Sequence, residues 1–424
     1  MIKYFLFLFL PLLALACRAK PVTASKAVEL REAIRTGYER FRPENVRRPT
    51  EWTFPRDPAP NWANYLPDTN HMDYLPFRQV YVNFHIMNTT DTLFPYYGAA
   101  AEKMVAEALS EVNSQLRKQP DIWLTPEGKT VAALPRQLYY KKARHPNGDI
   151  KVYEHYDDDL YWYLHNGPKR NRASRTVIMK YAKDKTSELN IFVMAAPRDS
   201  LASKTFKRPG ADGIYMGDAI KITGWMENDR PPWEMRGVIG HEIGHALGLN
   251  HAWGNDGCDD TPTHKNRGWF LSKANSGPGK SSNNLMDYGP RMEALTPCQI
   301  GRMHQRMSNI IGRQRKWLRK DWCEYNADKP IRVTSNLDLL GARDYASDII
   351  ITRGNSLRIN NRVHLPEGAV IRVEAGANLE LGPDAILHSD CGGEWGGIEI
   401  GVAENGARGE VTADENAVIL NVAP

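Results

Sequence analysis

Apolar and polar positions alternate from Val80 through Val82 and Phe84 to Ile86, and a period of two marks a strand that keeps one face in a core. The period then changes. Ala101, Val105, Leu109 and Val112 recur at helical spacing and predict a helix from about Gly98 to Leu116. Further strands are expected at Thr176–Lys180, Leu189–Met194 and Gly213–Ile222, with Leu201–Phe206 as an edge strand open to an extended peptide. Pro231-Pro232 precedes a second helix, whose apolar positions include Trp233, Met235, Val238 and Ile239. Thr296, Pro297 and Gln299 read as a capping box opening a third helix through Ile300, Met303, Met307 and Ile310-Ile311. That helix fades into the basic run Arg313–Lys320, expected to be a solvated face.

From Ile331 the pattern shifts to short alternating strands divided by Gly354, Gly368, Gly376 and Gly382, as in an all-β module. The coarse reading is α+β: a mixed twisted sheet with helices over 78–327, then a small all-β module over 328–424. The part upstream of the change is expected to be self-sufficient in a chain ending near Ala327.

The chemistry gathers in His241-Glu242-Ile243-Gly244-His245-Ala246-Leu247-Gly248-Leu249-Asn250-His251. His241 and His245 lie one helical turn apart and can share a metal ion. A third ligand needs the chain to turn, and Gly248 supplies a residue that takes left-handed angles cheaply where a helix stops. His251 then completes a three-histidine zinc site with one position open for water, and Glu242 is the natural base for that water. A bare pair of histidines around a glutamate arises by chance in helices. The added Gly248 and His251 at the required spacing exclude that reading.

This long signature, with Asn284-Leu285-Met286-Asp287-Tyr288 roughly 35 residues beyond it, resembles the metzincin zinc peptidases. Within that clan the chain is similar to the pappalysin (cytophagalysin) family. The likeness is carried by the zinc motif, Gly257-Cys258-Asp259-Asp260-Thr261-Pro262, the Met286 segment, and Leu295-Thr296-Pro297-Cys298-Gln299-Ile300-Gly301-Arg302-Met303. Leu189–Val193 and Ala211–Tyr215 are a weaker match. The resemblance covers residues 78 to 320. It implies a zinc cleft, Met286 as an apolar floor under the imidazoles, and Tyr288 as an oxyanion stabiliser beside Glu242. It also implies calcium near the oxygen-rich loop of Asp256, Asp259, Asp260 and Thr263, where solvated carboxylates are the alternative. One departure is that the cysteine lies inside the last helix opening, at Cys298, so the family's disulfide pattern does not transfer. Trp395-Gly396-Gly397-Ile398-Glu399-Ile400 resembles parallel β-solenoid proteins of secreted bacterial origin.

Met1-Ile2-Lys3 and the apolar run Tyr4–Ala16 form an export signal, 1–17, too short for a comfortable span. It ends at Cys17, either as a lipoprotein signal with Cys17 acylated or as an ordinary secretory one. The expected location is therefore the bacterial outer membrane, periplasm or cell surface, or the medium. Residues 18–77 are a propeptide or a structured lead-in. Four cysteines remain after Cys17, an even number that favours disulfides in an exported chain. Three pairings are open. A Cys258–Cys298 bridge would tie the loop after His251 to the last helix, and Cys391, in another module, could stay unpaired. His85, His145, His155, His165 and His264 lack ligand spacing and are read as structural or exposed.

A chain of 424 residues with 42% hydrophobic content allows two or three ordinary cores. Its net charge of +5 is scattered and gives no warrant for nucleic-acid binding. The expectation is thus a zinc endopeptidase acting on protein or peptide, tethered to a membrane if Cys17 is lipidated. The alternative is a non-catalytic surface binding protein with a vestigial zinc site and a ligand-binding β module.

Overall fold

The computed structural model describes residues 37–41, 61–143, 152–208, 210–261, 281–289 and 291–423. Cys17, Thr263, His145 and His264 lie outside them. Among the described residues no helix is long and apolar enough to cross a membrane.

The N-terminal half is built on one strand. The chain begins with a short β1 (Tyr38–Arg40), and β2 (Arg78–Asn88) is the central strand of a mixed sheet. Along one side, β3 (Leu138–Lys142) and β4 (Val152–Tyr156) pair in parallel with successive halves of β2. On the other side follow β5 (Leu189–Val193), β7 (Ala219–Thr223) and, antiparallel at the edge, β6 (Asp212–Tyr215). Every residue of β5 and β7 is buried, as parallel strands covered on both faces must be.

Helices α1 (Ala99–Arg117), α2 (Thr176–Tyr181), α3 (Arg198–Ala202), α4 (Pro232–Ala246) and α5 (Pro297–Ser308) surround this sheet. α1 packs against α4, turning Ala101, Val105, Leu109 and Val112 into the core with Met235 and Ile239. The capping box of α5 forms as read, Thr296 accepting from the Gln299 backbone and Gln299 from that of Thr296.

Several expectations fail. Thr176–Tyr181 is a helix, so β-branched residues there were misleading, and tertiary packing of Val177 and Ile178 decides the matter. The segment 198–202 is helical, and the edge strand is Asp212–Tyr215 instead. Gly213–Ile222 is two antiparallel strands, reversing at Gly217, whose φ of 90° suits glycine alone. Trp233 is 55% exposed rather than a core position. α5 stops at Ser308, short of Ile310-Ile311.

The C-terminal module has its own core. Its strands fall into three parallel sheets, visited in turn on each circuit of the chain. The first holds Ile331–Val333, Ile349–Ile351, Val370–Val373 and Gly397–Gly401; the second Leu337–Leu339, Ser356–Ile359, Asn378–Leu381 and Glu410–Ala413. The third holds Arg343–Asp344, Arg362–His364, Ile386–His388 and Val418–Ile419. Equivalent positions stack in register, Ile331 on Ile349 on Ile371, so each circuit buries its apolar side chains on the next. The described parts of the N-terminal lead-in are joined to this body. β1 pairs antiparallel with Gly397–Gly401, and the turn Trp62–Tyr65 lies between α5 and the module, with Tyr65 Oη accepting from Ala342 N at 3.0 Å.

The two halves share a buried ionic cluster. Asp344 of the module, fully buried, accepts from Arg78 of β2 at 2.7 Å, from Arg362 at 2.5 Å, and from Arg315. Arg362 also reaches the Ser308 carbonyl at the end of α5, 2.9 Å away, and Arg315 reaches Asp390 at 2.9 Å. Trp322 lies against the guanidinium groups of Arg78 and Arg315. Arg315 is therefore no solvated helix face, and its run is helical only from Arg313 to Lys316. Beside the cluster a disulfide joins Cys323 to Cys391, so Cys391 is paired.

Candidate metal centre

α4 brings His241 and His245 onto one face, stops after Ala246, and turns at Gly248 with φ of 96°. Leu249 N closes the turn on the Gly244 carbonyl at 3.0 Å. His251 arrives on the far side. Nε2 of His245 lies 3.1 Å from Nε2 of both His241 and His251. Nδ1 of His241 donates to the Leu285 carbonyl at 2.7 Å, and Nδ1 of His245 to that of Leu249 at 2.8 Å. A carbonyl only accepts, so these Nδ1 atoms carry the protons and the Nε2 lone pairs face one another. Burial first, and then the neighbouring imidazole His245, hold His241 neutral, its pKa down to about 3. Two unprotonated Nε2 atoms 3.1 Å apart, with the His251 Nε2 equally near one of them, form a poor arrangement without a cation between them. Nitrogens on a tetrahedral zinc sit roughly 3.3 Å apart, so the donor set fits that ion.

Met286 and Tyr288 come to the same place. Met286 is fully buried, and a Cβ on Gly244 would run into its Sδ. That glycine, inside a helix where it costs stability, is explained by the sulfur beneath it. Tyr288 Oη lies within hydrogen-bond distance of Nε2 of His251, at 3.0 Å, and Trp253 stacks on the same imidazole with ring centroids 4.9 Å apart.

Glu242 faces the other way, toward β6. Gly213 has no Cβ, and one there would meet Glu242 Cγ at 2.6 Å, so the edge strand lies directly on the carboxylate. Burial pushes the Glu242 carboxyl up to about 8, assisted by the Asp212 charge and opposed by the Tyr215 backbone N–H and Arg172. A dication nearby shifts such a group back toward its ionised form. Asp212 itself accepts from Tyr163 Oη at 3.0 Å and contacts His165 Nδ1 at 2.8 Å. A cleft of about 950 Å³ joins these elements, with β6 on one wall and Tyr288, Gly289 and Met292 on the other. His165, Arg172, Asp212 and Arg306 line it too. No local signal marked them, because each depends on a partner far away in sequence. The glycine inside α4 did carry a readable hint of close approach.

The other singled-out residues do not join the site. Cys258 and Cys298 are bridged, with Cα atoms 5.7 Å apart. Asp260 accepts from Thr296 Oγ1 at 2.6 Å and from Cys298 N at 2.8 Å, and so anchors the start of α5. Asp256 accepts from Thr261, and Asp259 pairs with Lys129. Among the described residues these three carboxylates do not converge on one point. His85 and His155 are hydrogen-bonded to each other at 2.9 Å inside the sheet. His165, by contrast, is part of the cleft wall.

No family model matches the chain, and no curated protein matches it. Among solved structures it is similar to mirolysin in complex with a compound, at 18% identity and a TM-score of 0.37, over 57% of this chain and 96% of that one. A second is mature mirolysin of Tannerella forsythia in complex with a cleaved peptide, at 17% identity and a TM-score of 0.36, over 56% and 94%.

Proposed function

We propose that this chain is a zinc-dependent endopeptidase of the metzincin type, similar to pappalysins. The observation that supports it most is the convergence of three imidazole nitrogens beside a buried carboxylate and a tyrosine hydroxyl in one open cleft. His241, His245 and His251 would hold zinc, which when bound supplies Lewis acidity to a carbonyl and to water. Glu242 takes a proton from the attacking water and passes it to the leaving amine. Tyr288 donates its hydroxyl to the oxygen that gains charge. The outer edge of β6, without a sheet partner among the described residues, offers main-chain hydrogen bonds to an extended peptide and holds it across Glu242.

We also read the C-terminal circuits as a short β-solenoid, the chain as exported, and Cys17 as its lipid anchor on a membrane. An acylated Cys17 in membrane-extracted protein, lost in Cys17→Ser, tests the last point. Glu242→Gln tests the chemistry. Zinc should stay at one per chain while turnover drops by ~100-fold or more. Near-normal turnover would refute the role of Glu242. Failure of the zinc-loaded protein to cut any peptide of a diverse library would favour a surface binding protein with a vestigial site.

A further inference from the structure

Arg306 projects from α5 into the cleft that holds the three imidazoles, and it is exposed. Among the described residues its guanidinium has no ion-pair or hydrogen-bond partner. Its stem is nevertheless held. A Cβ on Gly248 would lie 2.8 Å from Arg306 Cγ and 3.0 Å from Nε, so the bare turn between the second and third imidazoles is the bed on which the stem rests. Packing of that kind keeps the charged head beside the metal centre while it stays wet.

The charge around it is uncompensated. Of the two acids in the cleft, Asp212 is occupied by Tyr163 and His165, and Glu242 is buried against β6. The other arginine, Arg172, stands with β6 and reaches the Gly213 carbonyl at 3.4 Å. A planar cation with free donors, its stem held in the same cleft as the three imidazoles, matches a carboxylate.

Resting on the peptidase reading, we propose that Arg306 receives a carboxylate of the substrate and so sets its preference. The carboxylate is either an Asp or Glu side chain flanking the bond that is cut or the free C-terminus of a peptide. Two peptide sets separate these sources. The first is C-terminally amidated and varies one flanking position among Asp, Ala and Lys; the second lacks acidic side chains and has free or amidated ends. With the full-length zinc-loaded protein, kcat/KM for one carboxylate source should exceed that of its neutral or basic counterpart by about 10-fold, mostly through KM. Arg306→Glu should invert the ratio and Arg306→Lys keep its sign. Because each ratio is taken within one enzyme, a general loss of activity does not distort it. Unchanged ratios in Arg306→Glu would overturn the inference and leave the peptidase reading standing. No cleavage by zinc-loaded wild type would overturn both.

Discussion

Asp344→Asn removes one charge from the place where the two halves of the molecule meet. The side chain is fully buried and accepts from three arginines whose own side chains are at most 6% exposed. The isosteric amide keeps the volume, so the loss is electrostatic. Arg315 retains Asp390, and Arg362 retains the Ser308 carbonyl. Arg78 loses its carboxylate and keeps the face of Trp322. Leaving one buried ion without its partner costs about 3–5 kcal/mol. With a urea m-value of ~3 kcal/mol per molar, the midpoint should fall by roughly 1–1.7 M. Tryptophan fluorescence reads this directly, since Trp322 touches the cluster. The pH dependence gives a second handle. The three guanidinium groups outweigh burial and hold Asp344 well below the ordinary carboxylate range. A carboxyl depressed in the folded state contributes stability above its unfolded pKa and loses it as pH falls toward the folded value. Wild type should therefore weaken progressively below pH ~4, the unfolded aspartate range, and Asp344→Asn should weaken less over that interval. A midpoint shift under about 0.3 M, or an unchanged acid profile, would refute this account of the cluster.

Three further outcomes follow from the same geometry. A chain ending at Ala327 loses Asp344, Asp390 and Cys391 while keeping Arg78, Arg315 and Cys323; it should be insoluble or unfold without a cooperative transition, and a soluble, zinc-binding, peptide-cutting fragment would show the halves to be independent. His245→Ala should lose the metal, because two imidazoles remain, as elemental analysis against Glu242→Gln will show. Gly244→Ala drives a methyl into the Met286 sulfur and should cost about 1–3 kcal/mol, with partial recovery in Gly244→Ala/Met286→Ala measured by thermal unfolding.

What could be read from the chain was whatever depends on near neighbours. The spacing of His241, His245, Gly248 and His251 encodes a helix, its stop and three imidazoles on one side, since helical periodicity and a positive-φ glycine are local matters. The capping box at Thr296 and the glycine-punctuated strands after Ile331 were legible for the same reason. Several of the failures involve partners distant in sequence. Residues 176–181 carry strand-forming side chains but take their state from what they pack on. The wall over Glu242 is Asp212–Tyr215 because β7, which carries it, pairs with the distant β5 and so fixes the sheet edge. Asp344 finds Arg78 across 266 positions, and Cys391 finds Cys323 across 68. Sequence by itself determined the three histidines that meet and the elements that carry them. Only the tertiary structure decided which strand lines the cleft, where Arg306 points, and that the C-terminal module is ionically and covalently joined to the N-terminal half, because those outcomes depend on burial and charge brought together by the whole chain.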